Sequence, residues 1–385
     1  MIRKQWGCRV SVLYILWFGL TYGTLEKSTF VRMYSWGAFF VTAAAVLLLL
    51  YYKNGRKRDL AAGTVLTLAA MYTHYYAAIS MFFVWLFLLL VVFIRKKACT
   101  IYIILGGIAV TAGYLPWMGK LLSQSRRVAE HYWMTEFDWK EWSVVPAALM
   151  ETSDGSFNGI GMVLYAFMVI LLVLALVRKK WDALLGAAVF ICTMVTGGLL
   201  SVLITPIWAT RYMYVDWGLA SLFVAVVAGE VTSVYSRIAQ GLLAVVLAMT
   251  GVVSLNVMLD DETMRNTADE WVAFLEEYVE KGAYIIVDDP GEHRLVYDFY
   301  MPDVEAVYTE NLLEQDIEAG LSGFLAQSGG HQIWYMVDYR QQKIGAEKMQ
   351  DYLENLGYSM ESADFYVIKQ KDLEVFRVEE MQDEK

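Results

Sequence analysis

Val31-Arg32-Met33-Tyr34-Ser35-Trp36 and Thr73-His74-Tyr75-Tyr76 are the two stretches on which the reading of this chain turns. Each sets basic or aromatic polar groups where a long apolar run begins or ends. The runs beside and beyond them, Val41 to Tyr52, Met81 to Ile94 and Val163 to Val177, have no polar face at helical period. Such runs are membrane spans, because a surface helix of a soluble protein keeps a polar side. Of 385 residues, 57 % are apolar and 13 are Trp, more than an ordinary soluble domain carries.

Hydropathy predicts nine spans, roughly 8–24, 35–52, 60–75, 76–94, 99–116, 157–177, 183–205, 212–230 and 238–257. Orientation follows from the short loops. Arg3, Lys4 and Arg9, then Lys53, Arg56, Lys57 and Arg58, then Arg95, Lys96 and Lys97, then Arg178, Lys179 and Lys180, then Arg237 alternate to one side. The positive-inside rule makes that side cytoplasmic, with the N-terminus inside and the tail outside. Met1 to Arg9 is basic and no small-residue cleavage site follows, so the first span reads as a signal anchor. The motifs around Arg32 and His74 then open on the outer face, as do the segment Pro116 to Ser156 and the tail. In that segment Lys120, Arg126 and Arg127 alternate with Leu121, Leu122 and Val128, a pattern suited to a helix lying on the membrane surface. Tyr132, Trp133, Trp139 and Trp142 follow as an interfacial aromatic belt.

Charge divides the chain. From Met258 on there are 30 acids against 10 bases, and before it 21 bases against 11 acids. The expected domains are therefore a multi-span membrane domain over 1–257 and an acidic extracytoplasmic α/β domain over 258–385. The division argues for two compartments and against nucleic acid as a partner. In the tail, strands are expected over Ala283 to Val287, Val304 to Tyr308, Ile333 to Val337 and Phe365 to Ile368. Helices are expected over Arg265 to Lys281, Leu312 to Gln327 and Ala346 to Leu356. Cys8, Cys99 and Cys192 all sit in or beside apolar segments, with neither a disulfide framework nor metal-ligand spacing.

Three sets of residues could carry chemistry, each with a bland alternative. Arg32 with Tyr34 is either a snorkelling anchor at a span end or a fork-shaped phosphate ligand. His74 with Tyr75 and Tyr76 is either a hydrogen-bonded structural group or a phosphate contact, metal ligand or acid/base group. Arg211 with Tyr212 and Tyr214, after Pro206, offers the same pair of readings. That all three fall on one face favours an anionic, membrane-embedded ligand. Asp288, Asp289 and His293 at a strand end read first as a solvated turn and second as a ligand site. No nucleophile triad, P-loop, zinc motif or dinucleotide fingerprint occurs.

The run Arg32 to Phe40, a basic loop, and then Tyr72-Thr73-His74-Tyr75-Tyr76 resembles the polytopic C-type membrane glycosyltransferases. That group contains the protein mannosyltransferases and lipid A aminoarabinose transferase. Leu115-Pro116-Trp117 and Arg211-Tyr212 are similar to the family's later landmarks, and the resemblance covers about residues 10 to 230. It implies transfer of a sugar from a polyprenyl-phosphate carrier to an acceptor at the outer membrane face. Arg32, Arg211 and a member of the Lys120, Arg126, Arg127 set would hold the lipid phosphate, beside Tyr34, Tyr75 and Tyr212. In some members a His matching His74 helps hold a divalent metal. The family's first span and acidic outer loop stand well ahead of its Arg-Met-Tyr motif, whereas 31 residues precede Arg32 here and no Asp precedes Asp59. Phe30 occupies a place where the family has an acid, so the resemblance implies an N-terminally shortened chain with Glu26 standing in as the catalytic base. The rival expectation is a non-catalytic membrane protein, either a lipid-linked-sugar translocator or an anchor presenting an outer binding domain.

Overall fold

The structure is a computed structural model. It describes all residues except 30–31, 96–99, 132–136, 151–159, 205–206, 231–233, 261–267, 289–293, 314–315, 369–370 and 382–385. Phe30, Val31, Lys96, Lys97, Cys99, Tyr132, Trp133, Pro206, Asp289 and His293 lie outside the described residues, as do the side chains of Arg126, Arg127 and Val128. Two compact units form, Met1–Met258 and Leu259–Lys385.

The first unit is a helical bundle. Its helices are α1 (Ile2–Leu20), α2 (Tyr22–Thr29), α3 (Tyr34–Asn54), α4 (Lys57–Thr73), α5 (Tyr75–Ile94) and α6 (Thr100–His131). The short α7 (Trp139–Ser143) and α8 (Val145–Ala148) follow. Then come α9 (Ile160–Val177), α10 (Trp181–Leu203), α11 (Tyr214–Gly229) and α12 (Val234–Asp260). Among the described residues six helices are long and apolar enough to cross a membrane, or seven if α1 and α2, bent by 63°, count as one broken span. The chain is a multi-pass membrane protein. Nine spans were expected; α4 and α9 make up the difference from seven, and α1 as well from six. The 17 residues of α4 reach only about 25 Å against a hydrocarbon core of about 30 Å.

The α6 helix departs from expectation. Instead of a span followed by a separate surface helix, it continues through Pro116 for 32 residues. The Lys120–Arg127 stretch is therefore the projecting end of the same helix. Beyond it, α7 is fastened to α10 by the Trp142 indole, which donates to the Met194 carbonyl at 3.0 Å. Trp142 is thus a packing residue, whereas Trp139 is exposed.

At the centre lies α11, with every residue from Tyr214 to Gly229 buried. Lipid offers no hydrophobic drive for helix association, so close van der Waals packing over small residues has to supply it. A Cβ on Gly186 of α10 would stand 2.6 Å from the Leu219 carbonyl oxygen of α11. On the opposite flank, a Cβ on Gly218 would collide with the Thr42 side chain of α3.

The second unit is a five-stranded sheet of order β2-β1-β3-β5-β4. Its strands are β1 (Tyr284–Asp288), β2 (Glu305–Tyr308), β3 (Ile333–Asp338), β4 (Tyr358–Ile368) and β5 (Lys371–Glu380). The first three run parallel, while β5 and β4 are antiparallel additions. Its helices are α13 (Ala268–Tyr278), α14 (Arg294–Tyr300), α15 (Thr309–Leu313), α16 (Ile317–Gln327) and α17 (Ala346–Asn355). Strict alternation builds a core on each face. Ile285, Val287, Trp334, Met336, Leu373 and Val375 pack with α13 and α14. Ile286, Ile333, Tyr335, Val337, Phe376 and Val378 pack with α16 and α17. The antiparallel β5 and the short α14 were not anticipated.

Asp288, at the end of β1, is fully buried. It accepts from the Thr309 hydroxyl at 2.7 Å and the Tyr335 hydroxyl at 3.0 Å. It also takes the backbone amides of Lys343 and Gly345 at 2.8 Å each, and that of Ile344. A carboxylate that accepts this many donors is a structural staple for the loop entering α17, not an open ligand site.

Two predictions follow from packing. Gly186→Val should lower the unfolding midpoint of the detergent-solubilised protein by about 3–10 °C, since overpacking against rigid backbone costs about 1–3 kcal/mol. Gly241→Ala, which has open space around it, should not lower it. Asp288→Ala strands its donors and should cost about 3 kcal/mol or more. Trypsin cleavage after Arg340 and Lys343 in the full-length protein should then accelerate at least about tenfold.

Candidate functional site

The chain reverses between α4 and α5 at His74, whose extended backbone ends one helix and caps the next. Its Nδ1 accepts the Tyr76 amide at 3.1 Å. An accepting Nδ1 carries no proton, so the ring is the neutral tautomer with Nε2–H as a donor. Three tyrosines close around the imidazole: Tyr34 at the start of α3, Tyr76, and Tyr212. Their ring centroids lie 5.7, 5.9 and 5.1 Å from it. Offset and tilted contacts of this kind are the favourable geometry for aromatic rings.

Tyr212 and Arg211 sit on a 3-10 turn, Thr210–Met213, immediately before α11. Three contacts fix that turn. The Ser201 hydroxyl of α10 accepts the amides of Ile207 and Trp208 at 2.8 and 2.9 Å. The Tyr76 hydroxyl donates to the Ile207 carbonyl at 3.3 Å. Thr210 hydrogen-bonds to the Glu141 carboxylate of α7. The Arg211 guanidinium lies over the Tyr212 ring at 5.6 Å, a cation–π contact that helps aim it.

These groups line one cavity of about 750 Å³. Arg32, Tyr34, His74, Tyr75, Arg211 and Tyr212, six residues singled out from the sequence, all border it. So do Tyr72, Tyr76, Tyr114, Trp117 and Gln124, whose side chain takes the Tyr75 hydroxyl. Among its described lining residues there are two guanidiniums and no carboxylate, so the cavity favours an anion. An apolar groove of about 620 Å³ runs between α5 and α6, lined by Phe82, Trp85, Ile104 and Ile108 among others. Met71 of α4 borders both spaces.

Other expected residues are not brought here. Glu26 on α2 is absent from the cavity wall, and its carboxylate is paired with Lys27 at 2.6 Å. Lys120 is exposed on α6 and does not line the cavity. Among the described residues no three His, Cys, Asp or Glu side chains gather to hold a metal. With its Nδ1 accepting the Tyr76 amide, His74 borders the cavity as a donor through Nε2–H.

Tyr114, Leu121 and Gln124 were missed from the sequence. Their signal was there: with Trp117 they recur at three- and four-residue steps, one stripe of a helix that continues past Pro116. Ser201 and Glu141 gave no signal, because their contribution is to hold the turn that carries Arg211.

Fold and cavity together define a multi-pass membrane protein with an anion-receptive, aromatic-walled cavity. Among solved structures the chain is similar to ArnT from Cupriavidus metallidurans in the apo state. The TM-score is 0.56 at 11 % sequence identity, over 97 % of this chain and 79 % of that one. At that identity the likeness is one of fold. The sequence matches no family model and no curated protein.

Proposed function

We propose that the chain binds a polyprenyl-phosphate-linked sugar and transfers the sugar to an acceptor at the outer membrane face. The observation that carries this reading is the cavity wall itself. Two guanidiniums, from Arg32 and Arg211, border a space free of described carboxylates that adjoins a largely apolar groove through Met71. A phosphate with a long hydrocarbon tail matches both parts. Arg forks bind phosphate oxygens bidentately, and in a water-poor cavity they stabilise the charge that develops as the sugar–phosphate bond breaks. The neutral Nε2–H of His74 and the tyrosine hydroxyls add hydrogen bonds without further charge. The ArnT-like fold supports the same class of activity, as do the motifs at Arg32 and Tyr72–Tyr76.

This wall supplies the leaving-group half of a transferase site. A general base for the acceptor is a separate requirement. Glu26 lies outside the described cavity wall, with Lys27 on its carboxylate at 2.6 Å, at the α2–α3 corner where Ser35 donates to the Lys27 carbonyl at 3.0 Å.

Binding of a polyprenyl monophosphate and of the matching polyprenyl alcohol, measured side by side by native mass spectrometry on the purified protein, tests the reading. The phosphate should bind and the alcohol should not. Arg32→Ala and Arg211→Ala should each weaken binding about 10- to 100-fold, the worth of a charge-assisted hydrogen bond, while Glu26→Gln leaves it unchanged. Equal binding of the alcohol sinks the head-group assignment. Orientation is tested in a cysteine-free background. A cysteine at Gln124 should react with a membrane-impermeant maleimide added to intact cells, and one at Gly55 only after permeabilisation. The reverse pattern places the cavity in the cytoplasm.

A further inference from the structure

The cavity and the apolar groove share α6. Its groove residues run from Ile103 to Leu115 and its cavity residues from Tyr114 to Gln124. A ligand laid along the helix therefore meets apolar surface first and the cavity wall last. On the reading above, on which this inference rests, the hydrocarbon tail fills the groove and the phosphate enters the cavity that Arg32 and Arg211 border. The sugar comes next in covalent order. From Tyr114 to Gln124 the wall extends about 15 Å along the helix axis, room for a phosphate and one sugar ring.

That stripe of α6 differs in chemistry from the wall around Arg211. Tyr114, Trp117, Leu121 and Gln124 carry no charge, and two contacts hold their side chains in place. The Tyr72 hydroxyl donates to the Gly113 carbonyl at 2.8 Å, and its ring meets those of Tyr114 and Trp117 edge to face with centroids 5.5 Å away. The Tyr75 hydroxyl donates to Gln124 Oε1, which orients the carboxamide and leaves its NH₂ as a donor. Tyr114 is buried, and its hydroxyl has no hydrogen-bond partner among the described residues. An indole, a phenol and a carboxamide suit a sugar ring, which presents an apolar C–H face to aromatic rings and hydroxyls to neutral polar groups. A hydrocarbon tail has no use for the polar groups, and a phosphate calls for cations.

We infer that Tyr114, Trp117 and Gln124 form the sugar subsite of the cavity, and that the sugar it takes is an uncharged hexose or pentose. Composition and order along α6 agree: apolar groove for the tail, guanidiniums for the phosphate, a neutral aromatic stripe for the ring. The continuation of α6 through Pro116 then has a task, since it brings Trp117 and Gln124 to the cavity wall.

The test compares dissociation constants of the purified full-length protein for farnesol, farnesyl phosphate and farnesyl-phosphoryl glucose, galactose, mannose, arabinose and N-acetylglucosamine. At least one glycosylated lipid should bind about tenfold or more tighter than farnesyl phosphate, the worth of two hydrogen bonds. Trp117→Ala and Gln124→Ala should each cut that gain about threefold or more and leave the affinity for bare farnesyl phosphate unchanged. Arg211→Ala should weaken bare and glycosylated lipid by the same factor. Trp139→Ala, an exposed aromatic outside the cavity wall, should leave the gain intact. Should Trp117→Ala fail to fold, Gln124→Ala and Tyr114→Phe, which removes only a hydroxyl, carry the test. A farnesyl phosphate that binds while no sugar adds affinity overturns this inference alone. So does a gain that survives in the α6 variants, or an equal loss of bare phosphate in them. A farnesyl phosphate that binds no better than farnesol overturns the phosphate reading, and this inference with it.

Discussion

The membrane unit depends on α11 having no outward face. A helix buried along its whole length can be placed only if neighbours cover every side, and α1, α3, α9 and α10 do so. Because lipid tails are as apolar as the side chains, what holds the neighbours is closeness of contact. That is why backbone approaches such as Gly186 to Leu219 and Gly218 to Ala38 recur around it. The same constraint fixes the turn immediately before α11. With α11 immobile, Arg211 and Tyr212 have a rigid base, and Ser201 and Tyr76 need only hold the chain for the last few residues.

From that base the aromatic wall gains its purpose. Tyr34, Tyr76 and Tyr212 shield His74 and leave its one free ring position as a donor. The Arg211 guanidinium lies over the Tyr212 ring and brings a positive charge to the wall. A cavity with cations, neutral donors and no described acid is selective by exclusion as much as by attraction. The apolar groove that shares Met71 extends the same logic to a hydrocarbon chain.

Hydropathy made the spans legible, and period-two alternation did the same for β1, β2 and β3. What stayed hidden has physical causes. In β5, Asp372, Glu374, Arg377 and Glu379 alternate with or flank Leu373, Val375 and Val378. The apolar half of the pattern is there, but the density of charge reads as loop until pairing with β3 covers it. The α14 helix is 7 residues long and unreadable without the core that buries Tyr297. The six site residues were legible because Arg, His and Tyr at span mouths are conspicuous. Their convergence was not, since it depends on α6 running on past Pro116 and on the fold of the 204–213 segment.

Asp216 and Asp288, two of the buried acids, show why position in sequence alone could not rank candidate sites. From sequence, Asp288 read first as a solvated turn and second as a ligand site. Burial is the same for both; the surroundings differ. Asp288 is met by two hydroxyl donors and three backbone amides, so its acceptor capacity is filled by its own domain. Asp216 is buried just as deeply on α11, the helix that its neighbours cover on every side. A satisfied buried acid builds a fold, because every lone pair already has a partner.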